Sequence, residues 1–593
     1  MSAPARLIDR GLRFLLLAAA AVATVKAAEN FDFWWHLASG RLMVAEGKLL
    51  HADPFSFTRP GMPWLNHEWL VQLAGYLGYR VAGEWFPALG VMALAVAAYL
   101  SLSSCLLRDR TNSQGVWLLM ALSLAGARFR FDPRPEMVSY FFLALLCFLL
   151  GSSAEPGKER RAWLLFPLFA LWANVHPAVL LGAAVAILWL AGESIQRRAQ
   201  PTAPTADRWR DRIVLGSPGA ILLNPGGWRI LAVPLDLRRI IASGHAPNME
   251  WAPPEPADFP LFYFTAIAAG CLLFLALVQD LPLAGRLRQV KTEAASTRSR
   301  AEGWRAAAGN VEWAPLLAAS LAALLALQQL RNIAFFFLLL PLALRRPFTR
   351  LVSQARVPGS ALRVLEASAL LMLVGIFLRT APTWRSDRYL MRITPARAVG
   401  FLEANDVGRR LFNDVKFGGY LAWARYPAGR VFIDGRNELY DSLLEEVFAS
   451  LASWGRWEAL LERYGIDAAM LRRGQLQAVQ YAPEAPGAPP RQEMRAFSAA
   501  YFQPVRWALV YWDDDALVFV RRDDPRYRNL LAREFRIVNP DDSAHLLAEI
   551  RRGRVDRSQA LAEVDRKLKE DPGCVTALSL RRELLSVESA ALR

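Results

Sequence analysis

Cysteine and histidine are both scarce in this sequence, with four Cys and six His among 593 residues. Cys105, Cys147 and Cys271 fall in or beside apolar runs and Cys574 lies in the tail, so neither a disulfide framework nor a cysteine metal spacing is present. A basic, aromatic-interleaved module is also missing. The net charge of +16 therefore does not point to nucleic acid. Most Lys and Arg of the first part sit between apolar runs, where orientation in a membrane accounts for them. Charges inside the apolar runs are few and no internal repeat is visible, which weighs against a transporter.

Apolar residues, in contrast, are abundant: 54% of the chain is hydrophobic, with 20 Trp and 31 Phe. They are unevenly spread. Apolar runs alternate with short polar loops up to about Leu378, and charged residues thicken afterwards. That change of texture predicts a transmembrane domain over 1–384 with a large first outer loop at 30–87. A soluble α/β domain over 385–540 and a helical tail over 541–593 complete the expected chain. The segment from Arg6 to Ala28 reads either as a signal peptide or as a first span, and both place residue 30 onward outside.

Expected spans cover 11–29, 88–107, 114–128, 137–152, 162–173, 178–192, 212–224, 260–279, 312–330, 333–344 and 361–380. Residues 67–82 read as an interfacial helix, with Trp69, Leu73, Leu77 and Val81 on one face and Glu68, Gln72 and Tyr79 on another. This choice gathers Arg6, Arg10 and Arg13 on one side with Arg108 and Arg110, Lys158 to Arg161, and Arg197 to Arg212. Arg286 to Arg305 and Arg345 to Arg356 join them. The positive-inside rule then predicts about eleven spans in a cell inner membrane, N-terminus inside and C-terminal domain outside. The basic connectors 194–211 and 284–308 read as solvated loops.

In the soluble part, LFNDVKFGGYLAWARYP predicts a short strand, a Gly-Gly turn and a helix, and VFIDGRNELY a strand ending in a polar turn. LLERYGIDAAMLRR predicts a helix feeding a strand, and WALVYWDDDALVFVRR a hairpin around Asp513–Asp515. Residues 559–578 resemble part of a tetratricopeptide unit, too short for a solenoid and suited to a cap or docking helix.

The polar signature residues collect in the outer loops. His36, His51, His67, His176 and His245 are all there. Asp32 and His36, one helical turn apart, share a face; Asp32 suits either an N-cap or a general base. Trp34 and Trp35 suit interface anchors. Asp53 starts a turn before Pro54, and Glu68, which opens the interfacial helix, is the second candidate catalytic carboxylate. Asp32, His36, Asp53 and His67 together offer the carboxylate and imidazole donors that a divalent metal takes. Arg128, Arg130 and Arg134 with Glu136 stand at the outer end of a span, joined by His176 and Arg331. A guanidinium fork there suits either phosphate oxygens or snorkelling to headgroups.

The run DFWWHLASGRLMVAEGKLLHADPFSFTRPGMPWLNHEWL resembles the first outer loop of a bacterial multi-spanning family assigned to the GT-C class of glycosyltransferases. The segment FNDVKFGGYLAWARYPAGRVFIDGRNELY is similar to the stretch after the last span in that family. The resemblance implies a polyprenyl-phosphate sugar as donor, an acidic residue soon after the first span, where Asp32 stands, and a glycan, lipid or protein acceptor among membrane lipids. Phe33 comes directly after Asp32, where mannosyltransferases of the class carry a second acid. The leading expectation is an inverting sugar transfer to a hydroxyl on the outer face. The competing readings are a non-catalytic transporter or scaffold for surface polysaccharide, and a lipid-linked-oligosaccharide ligase, which would not require Asp32.

Overall fold

The computed structural model describes residues 3–108, 115–199, 207–242, 249–278, 311–380, 389–390, 394–481 and 491–587. They fall into two compact units. One holds the chain to Asn30 and from Leu65 to Leu390; the other holds Phe31–Trp64 and, from Met391, the remainder.

The first unit is helical. Among the described residues, four helices are long and apolar enough to cross a membrane, fewer than the eleven spans expected: Trp85–Leu106, Glu136–Ser153, Val179–Ala199 and Gly359–Arg379. Pro260–Ala276 and Trp313–Gln328 are apolar but shorter. Ile333–Gln354 is buried nearly all round, including Phe335, Phe336 and Phe337, and forms the centre of the bundle. Around it, Leu89, Leu100, Ile187, Phe264, Ile267 and Met372 are exposed. A surface of that kind needs lipid, because water would not tolerate so wide an apolar patch. The unit is that of a membrane protein.

The helix expected over 67–82 is present as Trp69–Ala82. Its burial is inverted relative to a soluble helix. Gln72 is buried and exchanges two hydrogen bonds of 2.7 Å with Asn66. Leu77 and Val81 are exposed. Gln72 inward with Leu77 and Val81 outward suits an apolar surrounding.

The second unit is α/β. Strands β1 (Leu411–Asn413), β2 (Ala468–Arg472), β5 (Trp507–Trp512) and β6 (Ala516–Arg521) form a sheet in the order β1-β2-β6-β5, β1 parallel to β2 and the rest antiparallel. Strands β3 (Leu476–Tyr481) and β4 (Arg491–Ala496) pair separately. The predicted hairpin and helix-to-strand segments are where the sequence placed them. In the tail, helices Arg557–Glu570 and Val575–Ser586 pack together. The hairpin carboxylate of Asp514 accepts from Thr576 N–H at 2.8 Å and Val575 N–H at 3.1 Å. The tail helix is thus capped by another element, which is a docked arrangement.

Three expectations are corrected here. The large outer loop is not one piece, since Phe31–Trp64 packs with the C-terminal domain. The Gly-Gly pair is not a turn but lies within helix Val415–Arg425. A Cβ on Gly418 would stand 2.0 Å from the Ile433 carbonyl oxygen, so the glycine is required by close approach. Finally, VFIDGRNELY is no strand: it makes one isolated bridge, Ser56 to Val431, and then a short 3₁₀ turn, Asn437–Leu439. Its apolar start reads like a strand, yet Asn413 side-chain hydrogen bonds to Phe432 and Ile433 take the place of a ladder. The solvated loop expected over 284–308 and the placement of His245 lie outside the described residues.

Candidate functional site

Asp32 stands immediately before helix Phe33–Glu46, in the N-cap position, with backbone angles already helical and no side-chain cap hydrogen bond. Its Oδ1 accepts instead from Trp35 Nε1 at 3.0 Å. Gly435 lies directly against that oxygen: a Cβ there would be 2.0 Å from it. The carboxylate is therefore aimed by an indole and a glycine, and it remains partly exposed. Trp34 and Trp35 are not interface anchors. Both are buried, Trp34 edge-on to Tyr420 at 5.0 Å and Trp35 near Trp64 at 6.0 Å. His36 is buried and stacks on Trp35 at 3.6 Å.

Asp53 is fully enclosed in the same unit. It accepts from Phe55 N–H at 3.0 Å, from the Ser56 backbone at 3.2 Å and hydroxyl at 2.5 Å, and from Arg436 at 2.7 Å. Arg436 also forks onto Asp434 at 2.6 Å, and its guanidinium lies over Trp64 at 4.8 Å and Phe55 at 5.2 Å. Burial alone would lower the Arg436 pKa, but Asp434, Tyr440 and Asp53 raise it well above its ordinary value. This network pins the first outer loop to the DGRNE turn that carries Gly435.

The arginines lie in the helical unit. Arg130 ends the 3₁₀ turn Arg128–Arg130, and Glu136 opens the next helix. Arg130 pairs with Glu136 and, at 2.8 Å, with Glu250; Arg134 reaches Glu250 at 3.0 Å; Arg331 reaches Glu136 at 3.5 Å and lies over Trp251 at 4.7 Å. Asp132 is buried nearby with Lys26 at 3.3 Å. Burial opposes charge on Arg130 and Arg134, yet the carboxylates win and both stay firmly cationic. Burial opposes the charge of Glu250 as well, but Arg134 and Arg130 bring its pKa down to about 2.

His176 belongs to this cluster, within the field of Glu136, Arg331, His67 and Arg130. Burial above all pushes its pKa down to about 3. Its Nδ1 accepts from Ala178 N–H and lies 3.2 Å from the Ser139 hydroxyl, which leaves the proton on Nε2. His176 contributes a hydrogen-bond donor, not the positive charge of an anion ligand. His67 Nδ1 donates to the Leu65 carbonyl at 3.1 Å and its Nε2 lies 3.9 Å from Glu68. Glu68 occupies the N-cap position of its helix without a cap hydrogen bond.

Of the five expected phosphate ligands, Arg130, Arg134, Arg331 and His176 come together. Arg128 lies over the Phe377 ring at 4.6 Å, a cation–π contact. Among the described residues no three His, Cys, Asp or Glu side chains are grouped as a metal requires. Asp53 already gives both oxygens to Ser56, Phe55 and Arg436. These donors do not fit a divalent ion. Sequence reasoning missed Glu250, Gly435 and Arg436. The only signal for Glu250 was its place as an acid between Met249 and Trp251 in a proline-containing outer loop.

Neither a family model nor a curated protein matches the sequence. Among solved structures, the chain is similar to the archaeal oligosaccharyltransferase AglB from Archaeoglobus fulgidus in complex with an inhibitory peptide and a dolichol-phosphate. That match has 10% identity, a TM-score of 0.48, and covers 95% of this chain and 87% of that one. It is also similar to the apo form of the A. fulgidus oligosaccharyltransferase, at 9% identity and TM-score 0.48, over 94% and 86% of the two chains. A third match is that enzyme tethered to an acceptor peptide containing the NVT sequon, at 10% identity and TM-score 0.47, over 95% and 86%.

Proposed function

We propose that the protein transfers a sugar from a polyprenyl-phosphate donor to a hydroxyl acceptor on the outer face of a cell inner membrane, across a bundle of about eleven spans. The observation that carries this reading is the convergence of Arg130, Arg134 and Arg331 at helix ends in a lipid-adapted unit. With Lys26 they make four cations facing three carboxylates, Asp132, Glu136 and Glu250, and the positive charge left over at such a place suits a further anion. The acceptor oxygen attacks the anomeric carbon while the bond from that carbon to the phosphate oxygen breaks. Attack from the opposite face inverts the configuration. Asp32 takes the hydroxyl proton, and the guanidinium groups stabilise charge gathering on the departing lipid phosphate.

The test is the profile of envelope glycans and lipid-linked sugars in a deletion strain complemented with wild type or Asp32→Asn. A donor lipid that accumulates in both the deletion and the Asp32→Asn strain supports the reading. Full complementation by Asp32→Asn overturns Asp32 as base and favours the ligase, which does not need it.

A further inference from the structure

The arginine cluster is arranged unequally with respect to its carboxylates. Glu136 and Asp132 are buried, with side chains 3% and 4% exposed, whereas the Glu250 side chain is 35% exposed. Glu250 nonetheless bonds to both Arg130 and Arg134. Arg130 approaches it at 2.8 and 3.2 Å, and Arg134 at 3.0 and 3.3 Å. Arg130 meets the two oxygens through both terminal nitrogens, and Arg134 meets both through Nη1 alone. The next residue, Trp251, lies under the third arginine, Arg331. One short turn, Met249–Trp251, therefore covers all three arginines.

A carboxylate held by two guanidinium groups presents two anionic oxygens to them, as a phosphate would. We infer that Glu250 is a resident stand-in for the donor phosphate, which displaces it from Arg130 and Arg134 on binding. The inference rests on the proposed donor site and deepens it. Glu136 and Asp132, being buried, stay as the permanent counter-charges. Glu250 is the anion that can leave, because water can receive its carboxylate. Its presence also sets specificity. Only a ligand offering at least two anionic oxygens to both guanidinium groups matches what it gives up, which favours a phosphate ester over a singly bonded anion or a neutral lipid.

Binding of farnesyl phosphate to the full-length, detergent-solubilised protein tests this, with farnesol and inorganic phosphate as arms that separate lipid from headgroup. Glu250→Gln keeps the shape and removes the competing charge, so farnesyl phosphate affinity should rise about tenfold or more, the worth of a charge-assisted hydrogen bond. Inorganic phosphate should gain in parallel, and farnesol should not change. Carbodiimide footprinting of the unmodified protein gives an independent reading: Glu250 should become more reactive when farnesyl phosphate is added. If wild type binds farnesyl phosphate while Glu250→Gln binds no tighter and the footprint stays unchanged, the stand-in role is overturned and the donor site stands. If neither protein binds farnesyl phosphate or inorganic phosphate, the donor-phosphate reading fails and this inference fails with it.

Discussion

Asp32 sits where a capping residue sits, yet its side chain does something else. Asn caps a helix as well as Asp does, so Asp32→Asn would be silent for a cap. For a general base, transfer measured with purified protein should fall about 10²–10⁴-fold with unfolding temperature unchanged. Gly435→Ala tests the same carboxylate from the other side. The new Cβ would overlap Asp32 Oδ1, so activity should drop, with a stability loss of about 1–3 kcal/mol from overpacking. Asp32 was legible because it comes at once after an apolar run. Gly435 was not, because nothing in a sequence says which distant side chain needs the missing Cβ. His176 gives a pH test. Its folded pKa of about 3 lies below the 6.5 of an unfolded chain, so its contribution is complete above pH 6.5. As pH falls toward 3 the unfolded chain takes up the proton first, and that stability is lost. Thermal unfolding between pH 7 and pH 4 should therefore fall more steeply for wild type than for His176→Asn.

At the scale of elements, helices were read well because 3.6-residue periodicity and long apolar runs are local signals. VFIDGRNELY reads as a strand ending in a polar turn because its apolar start is a local signal, whereas the partners that hold it are not. Asp53, Asp434 and Arg436 are wholly buried, with side chains 0% exposed. Removing one member leaves charge without compensation in a dry site. Asp53→Asn should destabilise the protein by about 3 kcal/mol or more, read as a lowered unfolding temperature in detergent. The Asp32 region should loosen with it, since the same turn carries Gly435, so activity should fall although Asp53 touches no substrate. An Asp53→Asn protein with wild-type unfolding temperature would show that the network carries no such load.

For the whole molecule, the sequence foresaw a lipid-facing bundle followed by an α/β domain, and both exist. It did not foresee that the first outer loop would join the latter, because such a partnership runs across the entire membrane part of the chain. Orientation remains a prediction from the arginine clusters: reporter fusions after Arg356 should be cytoplasmic, and fusions after Thr394 exported. A cytoplasmic reading at Thr394 would reverse the side on which every outer-loop residue stands. The Asp53 to Arg436 contact also has a bearing on biogenesis. Its members are 383 residues apart. At ribosomal rates of about 5–20 residues per second, the loop is finished about 20–80 s before its partner exists. Throughout that interval Trp34, Trp35, Phe55 and Trp64 have no core to enter. A nascent chain halted before Arg436 should therefore expose this loop to protease, and only release of the complete polypeptide should close it.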